Sequence, residues 1–336
     1  MDIRVDIERA VERLKPRVRR TPLEYSPWLS RLGDAEVFLK LENYQLSGSF
    51  KIRGVMNALL DMADQGGRPG LVTASSGNHG VAFAHALRWV GGDGAVVVPE
   101  TISKIKADAL KAAGAHLRFH GDDCLKAETH AREWAKASGR VFLSPYNDPR
   151  VIAGQGSIGA EILEQWDESG MARDIDAVLV PVGGGGLISG VGGYLKSRLP
   201  RVKIWGCQPR RSAVMYHSLQ AGRILDMESE PTISDGTAGG IEVGSITFDM
   251  CREFVDGFVL LEEEEIEAAV VAALRWQHVL IEGAAALPLA AFLKRRKRLR
   301  GKHLVLVLSG ARIAPVVLAE IIGRRGGEVP PAGGSP

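Results

Sequence analysis

Cysteine is scarce in this chain. Cys124, Cys207 and Cys251 are the only three in 336 residues, and they lie far apart with no C-x-x-C pair among them. An odd, scattered set of this kind excludes a disulfide framework and a cysteine-based zinc centre, and it suits a reducing compartment. A surplus of one charge is missing too: 42 Lys plus Arg stand against 40 Asp plus Glu, so no overall field points to nucleic acid or an acidic membrane surface. Long apolar runs are also lacking. The longest uncharged, mainly apolar stretch, Gly283 to Leu293, falls well short of the roughly 18 residues a membrane span needs. The N-terminus, Met1-Asp-Ile-Arg-Val-Asp-Ile-Glu8, has no apolar core of the signal-peptide kind. The expectation is a cytoplasmic protein whose partners are small molecules. With 45% hydrophobic and 24% charged residues, the chain can bury a sizeable core and is long enough for two domains.

Apolar periodicity alternates between helix and strand almost throughout. A helix is expected over 7–14, then Arg20-Thr-Pro22 and a strand at Val37 to Leu41. A helix from Lys51, a strand at 71–74, a helix over 81–90, a strand at 94–99, a helix over 104–113, a strand at 116–119 and a helix over 124–137 form one βα series. A second series starts near Val141-Phe-Leu143. It runs through a helix at 152–166, the strand Ala177 to Val182, a helix over 187–199 and a strand at 202–207. An irregular region around 227–247 follows, then a strand at 258–261, helices over 266–281 and 284–294, a strand at 304–308 and a closing helix over 316–322. The fold class this implies is α/β, two lobes each built on a mostly parallel sheet flanked by helices, with a cleft between them. Residues 324–336 have the Gly, Pro and Ser content of a disordered tail.

Four short stretches carry chemistry. In Ser47-Gly-Ser-Phe-Lys-Ile-Arg-Gly54, Lys51 opens the apolar run Ile52, Val55, Met56, Leu59 and so sits in the first turn of a helix. The positive end of the helix dipole lowers the pKa of an amine there and suits it to nucleophilic work when water is excluded; a solvated surface lysine is the plain alternative. In Gly183-Gly-Gly-Gly-Leu-Ile-Ser-Gly190, four glycines between a strand and a helix let backbone N–H groups close around a phosphate. The dinucleotide spacing G-x-G-x-x-G fails there, because Ser189 stands where the last glycine belongs. Ser75-Ser-Gly-Asn-His-Gly80 at a helix start suits a carboxylate, or else is only a capped helix entry with Ser75 or Ser76 as N-cap. Ser309-Gly310 ends the strand Leu304 to Leu308.

Taken together, these stretches resemble the pyridoxal-phosphate (PLP) enzymes of the tryptophan-synthase-β-like fold, fold type II, in their serine/threonine dehydratase and serine racemase branch. The resemblance extends over about residues 15 to 320 and includes Asp148-Pro-Arg-Val-Ile-Ala-Gly-Gln-Gly156, which packs the lobes together in that family. It implies a small lobe, 48–143, inserted into a large PLP-binding lobe made of 1–47 and 144–323. It implies that Lys51 carries PLP as a Schiff base and serves as the base at Cα, and that Phe50 packs against the ring. Gly183, Gly184, Gly185, Gly186 and Leu187 would hold the cofactor phosphate, Asn78 would bond its phenolic oxygen, and Ser309 would face the pyridine nitrogen. The substrate carboxylate would lie on Ser75, Ser76, Gly77, Asn78 and His79, with His79 a neighbour rather than an acid or base.

Glu282 matches an acidic position near the ring, and an exposed helix-end glutamate is the alternative. No metal site is expected: where the racemase branch has an acidic pair, this chain reads Gln208-Pro-Arg-Arg-Ser-Ala-Val214. The sequence also departs from the family after Ser309, with Ala311-Arg312 in place of Gly-Asn. The function implied is a cytoplasmic homodimeric lyase that converts an L-β-hydroxy amino acid, threonine or serine by default, to a 2-oxo acid and ammonia. The alternatives are an amino-acid racemase, with Ser76 as second proton carrier, and a catalytically silent PLP or amino-acid binding protein. The basic run Lys294 to Arg300 reads as a solvated helix end, where cations suit the dipole.

Overall fold

The computed structural model describes residues 2–327. Its first elements are α1 (Ile3–Leu14), β1 (Leu23–Tyr25), α2 (Pro27–Gly33) and β2 (Glu36–Lys40). Next come α3 (Lys51–Asp64), β3 (Leu71–Ala74), α4 (Asn78–Val90), β4 (Gly94–Val98), α5 (Lys104–Ala112), β5 (Leu117–Phe119), α6 (Cys124–Ala137) and β6 (Val141–Phe142). The chain continues through α7 (Pro149–Glu168), β7 (Ala177–Pro181), α8 (Gly186–Arg198), β8 (Lys203–Pro209), α9 (Val214–Ala221), α10 (Ile246–Phe254) and β9 (Gly257–Leu261). It ends in α11 (Glu263–Ala272), α12 (Gly283–Arg295), β10 (His303–Val307) and α13 (Pro315–Arg325).

The strands form two sheets. One has six strands in the order β1-β2-β10-β7-β8-β9, parallel except for β1 against β2. The other is all parallel, in the order β5-β4-β3-β6, and all of its strands fall between β2 and β7 in the chain. The central strands β7 and β10 are buried at every position, as expected for parallel strands covered on both faces. No helix among the described residues is long and apolar enough to cross a membrane.

Several expectations are corrected. Val141-Phe142 does not begin the second series: β6 pairs in parallel with β3 and closes the four-stranded sheet. The helix expected over 266–281 ends at Ala272 in a π-helical turn, Ala273–Gln277, and His278 then takes a left-handed conformation. The closing helix reaches Arg325, two residues into the stretch expected as tail, and the remainder from 328 lies outside the described residues. The irregular region is preceded by α9, and α10 begins inside its last two residues; β1 with α2, too short to show a clear period, occupies the segment before β2.

A buried ionic cluster fixes α3. The Arg53 side chain, fully buried, donates to Glu42 Oε1 and Oε2 at 2.8 Å each and to Glu161 Oε1 at 2.7 Å; fully buried Lys40 donates to Glu161 Oε2 at 2.6 Å and to the Thr21 carbonyl at 2.7 Å. Two cations face two carboxylates, so each charge is paired, the condition under which burial of ions is tolerated. Arg53 lies two residues beyond Lys51, so this cluster sets the axial position of the helix that presents the lysine.

Candidate active site

The turn before α3 is stitched to the end of β10. Phe50 N–H donates to the Ser309 carbonyl at 3.0 Å, and Ser49 forms an isolated antiparallel bridge with Gly310. These bonds place Lys51 and Ser309 side by side although they stand near opposite ends of the chain. Ser309 is only 2% exposed. The Lys51 Nζ donates to the Pro145 carbonyl at 2.9 Å and lies 5.1 Å from the centre of the Phe50 ring. The residue as a whole is half-buried, with its amine end enclosed. Desolvation pulls that amine down from 10.5 to about 8, against the attraction of Glu282.

Glu282 is itself buried, just ahead of α12, so the exposed helix-end alternative does not hold. Burial pushes its carboxyl up to about 7, while bonds from Asn78 and the Arg312 N–H work the other way. The Asn78 Nδ2 donates to both carboxylate oxygens at 2.8 and 2.9 Å, and Arg312 N–H donates to Oε2 at 3.1 Å. A side chain at residue 310 would come within 2.7 Å of Glu282 Oε1, so Gly310 is required by this close approach.

Asn78 opens α4, and the helix is capped by neither serine. Gly77 is the N-cap residue, and the Ser75 hydroxyl instead accepts a hydrogen bond from Gly77 N–H at 3.2 Å. Ser75, Ser76, Gly77 and Asn78 are half-buried around the helix N-terminus, whose dipole favours an anion. His79 is buried, with Nε2 3.0 Å from the Thr73 hydroxyl, and burial pulls it down to about 3, so the ring is neutral. The Thr73 hydroxyl donates to the Leu143 carbonyl at 2.9 Å, so it accepts from His79 and the imidazole proton sits on Nε2.

The glycine loop joins β7 to α8. Gly185 has φ of +87°, a left-handed conformation that side chains disfavour, and a Cβ at Gly184 would lie 2.5 Å from the Tyr146 ring. Thr247 Oγ1 donates to the Gly184 carbonyl at 2.6 Å, and Leu187 anchors the first turn of α8 in the core. The loop is therefore backed by Tyr146 and Thr247 where it runs into α8.

These residues fit a pyridoxal-phosphate group. Lys51 supplies a desolvated amine, the Gly183–Gly186 loop an anion cradle that only glycine can form, and Ser309 a neutral buried hydroxyl. The buried Asn78 Oδ1 and Ser49 Oγ have no partner among the described residues, which leaves polar capacity at the same place. Periodicity and motif spacing do not indicate Pro145, Tyr146, Glu242 or Thr247, because a backbone carbonyl and packing against glycine leave no sequence pattern.

Residues 14–310 match the family described as pyridoxal-phosphate dependent enzyme. The L-threonine ammonia-lyase of Thermotoga maritima is 39% identical over 319 residues, 95% of this chain and 78% of that protein. The solved structure of the processed form of threonine deaminase isoform 2 from Solanum lycopersicum has a TM-score of 0.87 and 32% identity, covering 96% of this chain and 92% of that one. Maize serine racemase has the same TM-score at 28% identity, covering 96% and 97%. The matched span includes Lys51, Asn78, the Gly183–Gly186 loop, Glu282 and Ser309, and the chain belongs to the pyridoxal-phosphate dependent enzymes.

Proposed function

We propose that this enzyme is an ammonia-lyase that eliminates water from an L-β-hydroxy amino acid, threonine or serine by default, to give a 2-oxo acid and ammonia. The observation that carries the reading is the Lys51 amine, held on the Pro145 carbonyl, lowered to about 8, and presented by a turn that Phe50 N–H ties to the Ser309 carbonyl. Lys51 would hold the cofactor through that amine, Gly183–Gly186 would hold its phosphate, Phe50 would pack against its ring, and Ser309 would face the ring nitrogen. When bound, the cofactor supplies an electron sink for the bond broken at Cα.

The protein groups do the rest. Once the substrate's amino group takes its place on the cofactor, the Lys51 amine is free; lowered to about 8, a useful fraction of it is unprotonated near neutral pH, so Lys51 can take the Cα proton as general base. Ser75–Asn78 at the N-terminus of α4 orient the substrate carboxylate through hydroxyl and N–H donors and the helix dipole. Burial of Ser309, His79 and Glu282 keeps bulk water from the reacting face, and neutral His79 shapes the pocket without exchanging protons. The lobe boundaries we adopt are 48–143 for the inserted small lobe and 1–47 with 144–323 for the large one. We infer a cytoplasmic homodimer, which the exposed apolar side chains Trp276, Leu280, Val316 and Ile322 support.

Ser76 favours a second activity. Reprotonation from the opposite face of Cα needs a second proton carrier, and the Ser76 hydroxyl beside Asn78 is suited to it; the likeness to maize serine racemase agrees with this. The test is to incubate the purified holoenzyme with a panel of L- and D-β-hydroxy amino acids and to measure 2-oxo acid release and chiral composition. Release from L-threonine or L-serine above all other substrates is expected. Inversion without 2-oxo acid would replace the lyase reading with the racemase one, and neither product from any member of the panel would overturn both.

A further inference from the structure

Between β6 and α7 the chain passes through Ser144-Pro-Tyr-Asn147, and every residue of this segment is engaged. The Pro145 carbonyl holds the Lys51 amine, and Tyr146 lies where side chains at Gly184 and Gly186 would otherwise fall. The two flanking residues converge on one carboxylate. Ser144 Oγ donates to Glu242 Oε1 at 2.9 Å and Asn147 Nδ2 donates to Glu242 Oε2 at 2.9 Å. Glu242 N–H in turn donates to the Tyr146 hydroxyl at 2.9 Å, and Ile246 N–H to Asn147 Oδ1 at 3.0 Å. From α6, the Arg132 guanidinium reaches Glu242 Oε1 at 2.7 Å while it lies 4.1 Å from the centre of the Phe142 ring. Contacts from Ser144, Tyr146, Asn147 and Arg132 therefore all end on the side chain or N–H of one residue that lies outside the Lys51 and glycine-loop segments.

We propose that Glu242 is a positioning residue: by clamping 144–147 from both ends, it sets the Pro145 carbonyl that aims the Lys51 amine and the Tyr146 ring that backs the phosphate loop. The role rests on the assignment of Lys51 and Gly183–Gly186 to the cofactor. Glu242 accepts at both oxygens, so a carboxamide cannot replace it. In Glu242→Gln one amide N–H2 must face a donor, either Asn147 Nδ2 or Ser144 with Arg132. In Asn147→Asp two carboxylates meet where a 2.9 Å hydrogen bond stood. The double variant restores complementarity at unchanged net charge: the new amide at position 242 donates to the new carboxylate at position 147, whose other oxygen still accepts from Ile246 N–H.

The test compares wild type, both single variants and the double variant as holoenzymes, with cofactor release on dialysis followed by visible absorbance, and kcat and KM measured separately. Each single variant should release cofactor about tenfold more readily, the scale of losing one charge-assisted hydrogen bond. Each should also lose kcat by about tenfold or more with KM nearly constant, because the lysine is misaimed while carboxylate binding is intact. The double variant should recover both within a few-fold. Single variants that keep cofactor and kcat while losing only thermal stability would make Glu242 a contact that merely maintains the fold, and a double variant no better than the worse single would refute the clamp. Where a single variant does not fold, Ser144→Ala removes one donor and should shift release in the same direction; no shift there overturns the proposal. A wild type that holds cofactor but forms no 2-oxo acid would sink the substrate assignment, and cofactor release would still decide the role of Glu242.

Discussion

Enclosing an amine at the start of a helix has a measurable cost, and Lys51→Met in the cofactor-free protein isolates it. Inside the fold the amine falls from 10.5 to about 8 because desolvation disfavours its charged form. Each pKa unit corresponds to about 1.4 kcal/mol, so carrying the charged amine in the native state costs on the order of 3 kcal/mol. The cost is present in full below pH 8, where folded and unfolded chains both bind the proton. Between pH 8 and 10.5 the unfolded chain binds more protons than the folded one, so stability rises with pH across that window. Methionine has a similar length and no charge, and it gives up only the bond to the Pro145 carbonyl, worth about 1 kcal/mol. Urea denaturation of apoprotein at about pH 7, followed by tryptophan fluorescence, should therefore show the variant more stable than wild type by about 2 kcal/mol. The advantage should vanish by about pH 10. With pyridoxal phosphate added the order should reverse, because the wild type bonds this native-state ligand through its amine and gains more from it than the variant, which keeps only the non-covalent contacts. A variant less stable than wild-type apoprotein near neutral pH, or an advantage independent of pH, would refute the view that the amine is held at a cost.

The other outcomes concern the cofactor and the substrate. Gly185→Ala must place a side chain at φ of +87° within 2.9 Å of Met215 Cε, and it should lose cofactor on dialysis while the apoprotein keeps most of its helical circular dichroism. Ser309→Asp puts a carboxylate at a 2% exposed position, the one proposed to face the ring nitrogen, and 2-oxo acid formation should fall in a steady-state assay; an unchanged rate would show that Ser309 does not meet that nitrogen. Ser76→Ala should suppress racemisation about 10²-fold, read by chiral chromatography, and spare L-dehydration; equal loss of both would make Ser76 a carboxylate contact.

Much of this fold is legible in the sequence where a period can express itself. Long amphipathic helices such as α3 and α7, and the apolar strands β7 and β10, show their type and their place within a few residues. The glycine loop and Lys51 are equally visible, because backbone geometry at a strand-helix junction restricts which residues can stand there. β1, with three residues, is not visible, and the two residues of β6 are visible but not their place, because their pairing is with β3, about 70 residues earlier. The role of Glu282 is half legible, since its position before a helix is evident but its burial depends on Asn78, 204 residues earlier. Glu242 cannot be inferred at all, because its partners come from α6 and from the segment after β6, and it stands in a stretch that reads as irregular.

The strand order bears on how the chain is made. β10 lies between β2 and β7, so the six-stranded sheet stays split into two parts until residues 303–307 have been synthesised. The four-stranded sheet, whose strands all lie within residues 71–142, can pair long before that. At that stage all four strands of the smaller sheet are present, while two edges, on β2 and on β7, still await their central strand. Such edges are a site for mispairing and a natural target for chaperones. A chain stopped short of residue 303 would retain the Lys51 helix and the glycine loop in its sequence but would lack the strand that brings them together.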